Sequence, residues 1–268
     1  MNAHMQQMSD LIRPHASRFC GMCLVSMDHS PSEQLIGDGW YTTVIVVSPA
    51  IEHSALANAV AKRLRPRTPR LMKWCNATRH YKREFGAIFA EEMERNPAYV
   101  FAISATKAVI VGNSESFIDQ TGLRPLFTWS NAPHGKRTLT FGPFFTENTE
   151  RFVQISERRA LMVLFILNFF IRIFAVTRDA VSPDLQWCVF MDKFAGGEEG
   201  SMATLFGCLL DATEAGGYCI RGSFGDSDLV ETDLLADNLT GYIDSLTQRG
   251  LSPPLSRGEG KLFWERYS

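Results

Sequence analysis

The sequence predicts an α/β protein in which strands alternate with helices around a mixed sheet. Short apolar runs rich in β-branched residues recur along the chain, and segments with helical apolar spacing lie between several of them. The chain has 268 residues, 45% of them hydrophobic, which is enough to bury a substantial core. A polar loop joins the first two predicted strands, so we expect antiparallel pairs beside the parallel ones.

The predicted elements follow from these two kinds of apolar spacing. Strands are predicted where apolar or β-branched residues run together, over residues 21–27, 40–47, 99–104, 108–111, 185–191 and 218–224. Helices are predicted where apolar residues recur every three or four positions, over residues 51–64, 81–95, 160–176 and 230–246 and in a segment ending at residue 211.

The domain organisation is predicted from the absence of linkers. No Gly/Ser-rich or Pro-rich stretch divides the middle of the chain, which favours one domain. We expect an irregular lead-in over residues 1–19, the domain over residues 20–250 and a C-terminal tail, mostly irregular, over residues 251–268. Residues 118–150 contain Pro, Gly and aromatic residues with little periodicity, so we expect an irregular insertion there.

The most apolar segment, residues 160–176, reads ALMVLFILNFFIRIFAV. Its length reaches only the low end of the membrane-spanning range, and Asn168 and Arg172 would lie within the hydrocarbon. We therefore expect a buried core helix packed against the sheet, with no membrane partner. The alternative is a membrane-attached protein, which would require detergent after purification.

Charge and cysteine usage favour a cytoplasmic protein. The first twenty residues carry charged side chains and no apolar run, so we expect no secretory leader and six reduced thiols. Cys20 and Cys23 have the spacing of a zinc or redox pair, with small buried residues entering a strand as the alternative. A net charge of −2 and a pI near 6.3 exclude a globally basic nucleic-acid binder.

Four aspartates form the candidate catalytic cluster. Asp28 and Asp192 each end an apolar strand, where ligand sites of α/β sheets commonly form. Asp233 and Asp237 share a helix face and repel each other unless a cation neutralises them. Carboxylates suit Mg²⁺ or Mn²⁺ and metal-assisted phosphodiester hydrolysis, whereas the alternative roles are structural caps. His29 is a candidate ligand or proton shuttle, with an exposed turn histidine as the alternative.

A dense basic segment follows the first predicted helix. Six cations lie within residues 62–73, and such density could neutralise several backbone phosphates. Trp74 and Tyr81 are candidates for stacking on bases. The alternative is a solvated loop and helix face. The candidate nucleic-acid-binding residues are Arg63, Arg65, Arg67, Arg70, Lys73 and Lys82.

Short motifs near both ends of the chain resemble those of a known family. The C-terminal motifs are VFMD, SD and DLLADNLTGYI, at residues 189–192, 227–228 and 233–243. The N-terminal motif is SMDHS at residues 26–30, followed by Trp40 and Tyr41. Together they resemble domain-of-unknown-function family 3800, whose members open on a strand running into Asp-Glu-Ser-Gly. The resemblance spans roughly residues 21–246, and its motifs are short.

The resemblance implies a fold and an activity. The family is regarded as ribonuclease-H-like, which implies a mixed sheet flanked by helices and a metal-dependent nuclease or a relative of one. Asp28, Asp192 and Asp237 are then the implied metal ligands, and Asp233 is a fourth acid. Nucleic acid is the implied substrate. A role in phage defence or in a mobile element is implied too, with a second copy of the chain or a defence-system protein as a further partner.

One position departs from the family pattern. Relatives often carry Glu-x-Lys before an aromatic residue, whereas residues 71–74 read LMKW here, with Leu71 in place of the acid. Loss of that acid favours the alternative function, a non-catalytic protein that binds nucleic acid or a protein partner. Glu91 or Glu92, on the nearby predicted helix, is a candidate replacement for the missing carboxylate.

Overall fold

Five strands form one mixed sheet in the computed structural model: β1 (Met22–Ser30), β2 (Trp40–Pro49), β3 (Tyr99–Thr106), β7 (Gln186–Met191) and β8 (Leu262–Tyr267). Their order across the sheet is β7-β1-β2-β3-β8. The first three strands form an antiparallel meander, and β7 and β8 pair in parallel with β1 and β3 at the two edges. The structure describes residues 3–20, 22–30, 39–96, 98–120, 124–131, 137–146, 149–182, 185–191, 231–252 and 262–268.

Two layers of helices cover the sheet. The α-helices within the described ranges are α1 (Ala3–Ile12), α2 (Ala50–Leu64), α3 (Arg79–Arg95), α4 (Lys107–Gln120), α5 (Glu157–Ala180) and α6 (Glu231–Gln248). Helices α1, α4 and α5 share one hydrophobic core with the sheet, and α2, α3 and α6 share a second core on the opposite face. The predicted α/β class is therefore confirmed as a mixed sheet flanked by helices.

Part of the predicted irregular insertion is a small sheet. Strands β4 (Phe127–Asn131), β5 (Arg137–Thr146) and β6 (Thr149–Ser156) pair antiparallel in that order. The prediction was wrong here because cross-strand contacts, rather than strong local periodicity, stabilise the pairs. Phe127 packs edge-on against its partner Phe141, with ring centroids 4.5 Å apart.

Helix α5 contains the apolar segment of the sequence. Ala160–Ala180 is long and apolar enough to cross a membrane, but 78% of its most apolar window is buried inside the protein. Its polar residues have local explanations, since Asn168 donates a 2.6 Å hydrogen bond to Asn113 of α4 and Arg172 is exposed. Phe174 packs on Trp187 of β7, with ring centroids 4.6 Å apart. These features are typical of the core helix of a soluble-like α/β domain.

Three further segments differ from the predictions. The lead-in is helical, because Met8 and Ile12 of α1 bury their side chains in the α5 core. Residues 108–111 belong to α4 rather than to a strand. The tail contributes β8, because residues 262–267 complete hydrogen bonds along the open edge of β3. The predicted helix ending at residue 211 and the predicted strand at 218–224 lie outside the described residues.

Candidate functional site

The two strands that precede predicted metal ligands are neighbours in the sheet. β1 and β7 pair in parallel, with Met27 opposite Met191. Asp28 follows Met27 in the sequence, and Asp192 follows Met191 but lies outside the described residues. Contrary to prediction, Asp28 does not end its strand, because pairing with β2 continues as far as Ser30. Asp28 therefore sits within β1, 9% exposed.

Alternation along β1 decides which face Asp28 occupies. Val25 and Met27 lie in the core beneath α5, so the residues between and after them point to the α6 face. Val44, the cross-strand partner of Asp28, lies in the α6 core and supports this orientation. His29 consequently points away from Asp28. It is buried within the strand, so the expectation of an exposed turn histidine was wrong.

Two hydroxyls on this side of the sheet are buried without a hydrogen-bond partner. They belong to Ser26, two residues before Asp28 on β1, and Thr240 on α6. A buried hydroxyl without a partner carries a desolvation cost. A cation or a further hydrogen-bonding group that contacted either oxygen would offset this cost. Within the described ranges, no group of three or more His, Cys, Asp or Glu side chains could hold a metal ion.

Of the two predicted acids on α6, the structure describes the side chain of Asp237 but not that of Asp233. Asp233 lies in the first turn of the helix, and its side chain is outside the described part of the structure. Asp237 is half-buried, and its Oδ2 accepts a 2.6 Å hydrogen bond from the backbone N–H of Trp74. This contact gives Asp237 a structural role that its sequence context did not suggest, while its role as a metal ligand stays a prediction.

The loop after α2 is anchored on α6 around this aspartate. Asn238 Nδ2 donates hydrogen bonds to the backbone oxygens of Met72 (2.7 Å) and Leu234 (2.6 Å). The indole of Trp74 covers Gly241, where a Cβ would overlap the ring. The loop that carries the basic segment is therefore held against the helix that carries two of the predicted acids.

Removing the Asp237 carboxylate is expected to loosen this anchor. Asp237→Ala deletes the acceptor for the Trp74 N–H and should lower the free energy of unfolding by about 1.5 kcal/mol, near the low end for a bond to a charged group because the carboxylate is half-exposed. Urea unfolding measures the loss. Asp237→Asn keeps an acceptor oxygen and should lose less than half as much, so equal losses would contradict the anchor.

Leu71, which stands where members of the resembled family often carry an acid, is part of the core. Leu71 is almost fully buried against α3 and α6. The candidate replacements are already engaged: Arg63 Nη1 lies 2.7 Å from Glu91 Oε2 and 3.0 Å from Glu92 Oε1. The hydrogen bonds to these two carboxylates raise the pKa of the Arg63 guanidinium.

The basic segment divides into engaged and unengaged cations. Arg63 pairs with α3, Arg65 donates to the backbone oxygen of Arg70 (3.3 Å), and the Lys82 ammonium lies 5.2 Å from the Trp74 ring centroid. Arg67 and the Arg70 guanidinium are exposed and form no ion pair with any described residue. These two arginines are the best placed of the predicted set to contact phosphates.

Three other residues of this region, Lys73, Tyr81 and Trp74, were predicted to contact nucleic acid. Lys73 is exposed, but it already takes part in a noncovalent interaction within the protein. Tyr81 is buried and stacks on Phe85, so it cannot stack on a base, and burial raises the pKa of its hydroxyl to about 12. Trp74 is half-buried between Phe85 and Tyr242.

Cys20 and Cys23, the two cysteines with the metal-like spacing, lie in different environments. Cys20 is exposed, whereas Cys23 is fully buried in β1, and burial raises the pKa of its thiol. A buried neutral thiol behaves as a small apolar side chain. Cys23 therefore follows the structural alternative of a small buried residue in a strand.

Sequence reasoning missed one acid on α6. Asp244 lies two turns beyond Asp237, and its carboxylate is hydrogen-bonded by Thr42, Ser30 and Gln248. Burial raises the pKa of Asp244, against the lowering effect of those bonds. The available signal was its position directly after Ile243, on the border of the apolar stripe that packs on the sheet.

The comparisons with known proteins leave the chain without an assigned family. No protein-family model matches it, and no curated protein matches it. The resemblance to domain-of-unknown-function family 3800 accordingly stays a prediction from short motifs.

Proposed function

We propose that this chain is a divalent-metal-dependent nuclease with a ribonuclease-H-like fold, which hydrolyses phosphodiester bonds in nucleic acid. In this proposal Asp28, Asp192 and Asp237 hold Mg²⁺ or Mn²⁺, and Asp233 is a fourth acid. The parallel pairing of β1 with β7 carries the proposal, because the strands that lead to Asp28 and Asp192 are hydrogen-bonded neighbours. The mixed sheet flanked by helices supports the fold.

Three oxygen-bearing side chains on the α6 face of the sheet support the proposal. Asp28 supplies a carboxylate, and the unpartnered hydroxyls of Ser26 and Thr240 supply neutral oxygens on the same side of the sheet. A divalent cation held there would supply Lewis-acid activation of water and of the phosphate. The chain itself would orient the phosphodiester, with Arg67 and Arg70 neutralising its backbone charge. A cytoplasmic location and a role in phage defence belong to the same proposal.

Cleavage assays with matched variants test the nuclease proposal. Labelled single- and double-stranded DNA and RNA are incubated with the chain in Mg²⁺, Mn²⁺ or EDTA. We expect the cutting to depend on the metal ion. Asp28→Asn and Asp192→Asn should each reduce it by more than the roughly 10–100-fold loss that is typical when a residue supporting a metal ligand is changed. Asp179→Asn, which changes an exposed aspartate on α5, is the control. Cutting that survives both substitutions would refute the proposed ligands.

The burial of Leu71 favours a second candidate function. A buried leucine where relatives carry an acid suits a chain that keeps the fold and binds nucleic acid or a protein partner without cutting. No cutting of any substrate, together with binding that persists in EDTA and weakens when Arg67 and Arg70 are changed to glutamine, would support it.

A further inference from the structure

Neutral donors from three elements hold the carboxylate of Asp244 at the end of β1. Thr42 Oγ1 of β2 and Gln248 Nε2 of α6 each donate to its Oδ1 over 3.4 Å, and the Ser30 hydroxyl of β1 donates as well. No cation of the described ranges forms an ion pair with it. Asp244 is half-buried, so an ion can reach it from the solvent.

Helix α6 runs in the same direction as β1. The last residue of β1 pairs with Thr42, and β2 is antiparallel to β1, so Trp40 lies beyond that end. Asp244 contacts Thr42. Gln248, one helical turn later, donates to the backbone oxygen of Trp40 over 3.4 Å. Moving back along α6 from Asp244 therefore means moving back along β1.

One turn before Asp244, helix α6 is level with Asp28. Thr240 lies four residues before Asp244, about 6 Å along the helix axis. Asp28 lies two residues before Ser30, about 6.6 Å along the strand. Because side chains alternate along a strand, Asp28 and Ser30 point to the same face of the sheet. The carboxylates of Asp28 and Asp244 therefore lie one step apart at the interface between α6 and β1.

The hydroxyl of Thr240 points to a ligand independently of the acids. Thr240 is fully buried, and its Oγ1 has no hydrogen-bond partner within the described ranges. Thr247, seven residues later on the same face of α6, is almost as deeply buried. Its hydroxyl is bonded to Ser104 Oγ (3.1 Å) and to the backbone oxygen of Ile243 (2.9 Å). The Thr240 hydroxyl carries a desolvation cost that contact with a cation would offset.

We propose that Asp244 is a further ligand of the divalent cation, which binds between α6 and β1 together with Asp28 and the Thr240 hydroxyl. The inference rests on the proposed function, because Asp28 is one of its ligands. Mg²⁺ commonly binds through one or two carboxylates and keeps several waters, so two acids suffice where the described ranges hold no group of three. The three neutral donors orient the Asp244 carboxylate, as residues that support metal ligands commonly do.

Asp244 differs in its contacts from Asp237, the α6 acid that the sequence predicts as a ligand. Asp237 lies seven residues earlier, about 10 Å along the helix axis. Its Oδ2 accepts a hydrogen bond from the backbone N–H of Trp74, in the loop after α2. Asp244 instead contacts the strand that carries Asp28. Substituting each acid in turn therefore separates their contributions to cation binding.

Binding of Mn²⁺ to the full chain, followed by electron paramagnetic resonance, tests the proposal without requiring cleavage. We expect Asp244→Asn to weaken binding by at least about 10-fold, and the exposed Asp179→Asn to leave it unchanged. Full retention in Asp244→Asn would overturn this proposal, and if Asp28→Asn abolished binding, the proposed nuclease ligands would remain. A parent chain that bound no Mn²⁺ would overturn both proposals. Asp244-dependent binding without cutting of any substrate would support the ligand and refute the nuclease.

Thr240→Val should change cation binding and stability in opposite directions. Valine has the shape of threonine without the hydroxyl, so Mn²⁺ binding should weaken. The cation-free chain should melt about 2–4 °C higher, because an unpartnered buried hydroxyl is removed. Thr247→Val is the matched control, since it deletes a bonded hydroxyl and should lower the melting temperature without changing Mn²⁺ binding. Unchanged Mn²⁺ binding in Thr240→Val, or an equal loss in Thr247→Val, would overturn the site.

Iron-directed cleavage of the parent chain keeps the proposal testable if the variants do not fold. Fe²⁺ bound in place of Mg²⁺ produces hydroxyl radicals from peroxide and ascorbate, and these radicals cut the backbone close to the metal. We expect cuts in β1 beside Asp28 and in α6 beside Asp244, and excess Mg²⁺ should suppress them. Cuts confined to the loop around Trp74 and to α6 around Asp237, or the absence of cuts that Mg²⁺ suppresses, would overturn the proposal.

Discussion

Phe85→Ala is expected to lower the free energy of unfolding by about 3–5 kcal/mol, the range for deleting a buried aromatic ring. Phe85 of α3 is fully buried, and its ring centroid lies between 5.8 and 6.2 Å from those of four other aromatic side chains, Trp74, Tyr81, Phe89 and Tyr242. These rings come from the anchored loop, α3 and α6. The cavity left by alanine would therefore open at the junction of three elements, where no single element can collapse to fill it.

Urea unfolding of matched variants checks this expectation. Phe85→Leu retains most of the volume and should cost about 1.5 kcal/mol or less. Ile51→Ala removes an aliphatic side chain that is 82% exposed and should change stability by no more than about 0.5 kcal/mol. If Phe85→Ala cost no more than Phe85→Leu, the aromatic cluster would not be the well-packed core described above.

Gly86→Ala is expected to destabilise the chain by about 1–3 kcal/mol, although alanine is the better helix former. A Cβ at Gly86 would overlap Cζ and Oη of the Tyr242 ring, which is itself buried against Phe85. Either the ring or α6 must shift to make room, and both movements disturb the same aromatic cluster.

Gly112 of α4 provides the matched control for the glycine prediction. No atom lies within 4 Å of a Cβ built there, so Gly112→Ala should stabilise the chain by about 0.4–1 kcal/mol through the unfolded state. Thermal and urea unfolding should give opposite signs for the two substitutions. Adding Tyr242→Leu to Gly86→Ala should cost less than the sum of the single changes, and strict additivity would place the strain elsewhere.

Elements with strong periodicity were predicted closely. Helices α2, α3 and α6 begin and end within two residues of their predicted bounds, because their apolar stripes face one core along their whole length. Strands β2 and β7 were equally clear from their β-branched and aromatic residues. Local spacing sufficed wherever one element met one packed surface.

The failures arose where distant contacts decide the structure. Residues 108–111 read AVIV and favour a strand locally, yet α4 forms because Ile110 and Phe117 pack into the α5 core and Ser114 bonds the backbone oxygen of Leu161. Strand β8 was missed because its partner, β3, lies more than 150 residues earlier in the chain.

The candidate site was predictable to the same extent. The two apolar runs that lead to Asp28 and Asp192 were predicted as strands, and the structure adds that these strands pair. The anchoring contact of Asp237 could not be anticipated, because its partner is a backbone N–H 163 residues away. The environment of Asp244 depends on hydroxyls from two strands, Ser30 of β1 and Thr42 of β2, which no single segment reveals.

The order of the strands has a consequence for synthesis. The meander β1–β3 leaves the ribosome first, while the two strands that cover its edges are encoded much later. At about 5–20 residues per second, the outer edge of β3 waits roughly 8–30 s for β8. An open strand edge can pair with a neighbouring chain during that interval. The nascent meander is therefore the stage at which this protein is most exposed to aggregation, and at which a chaperone would protect it most.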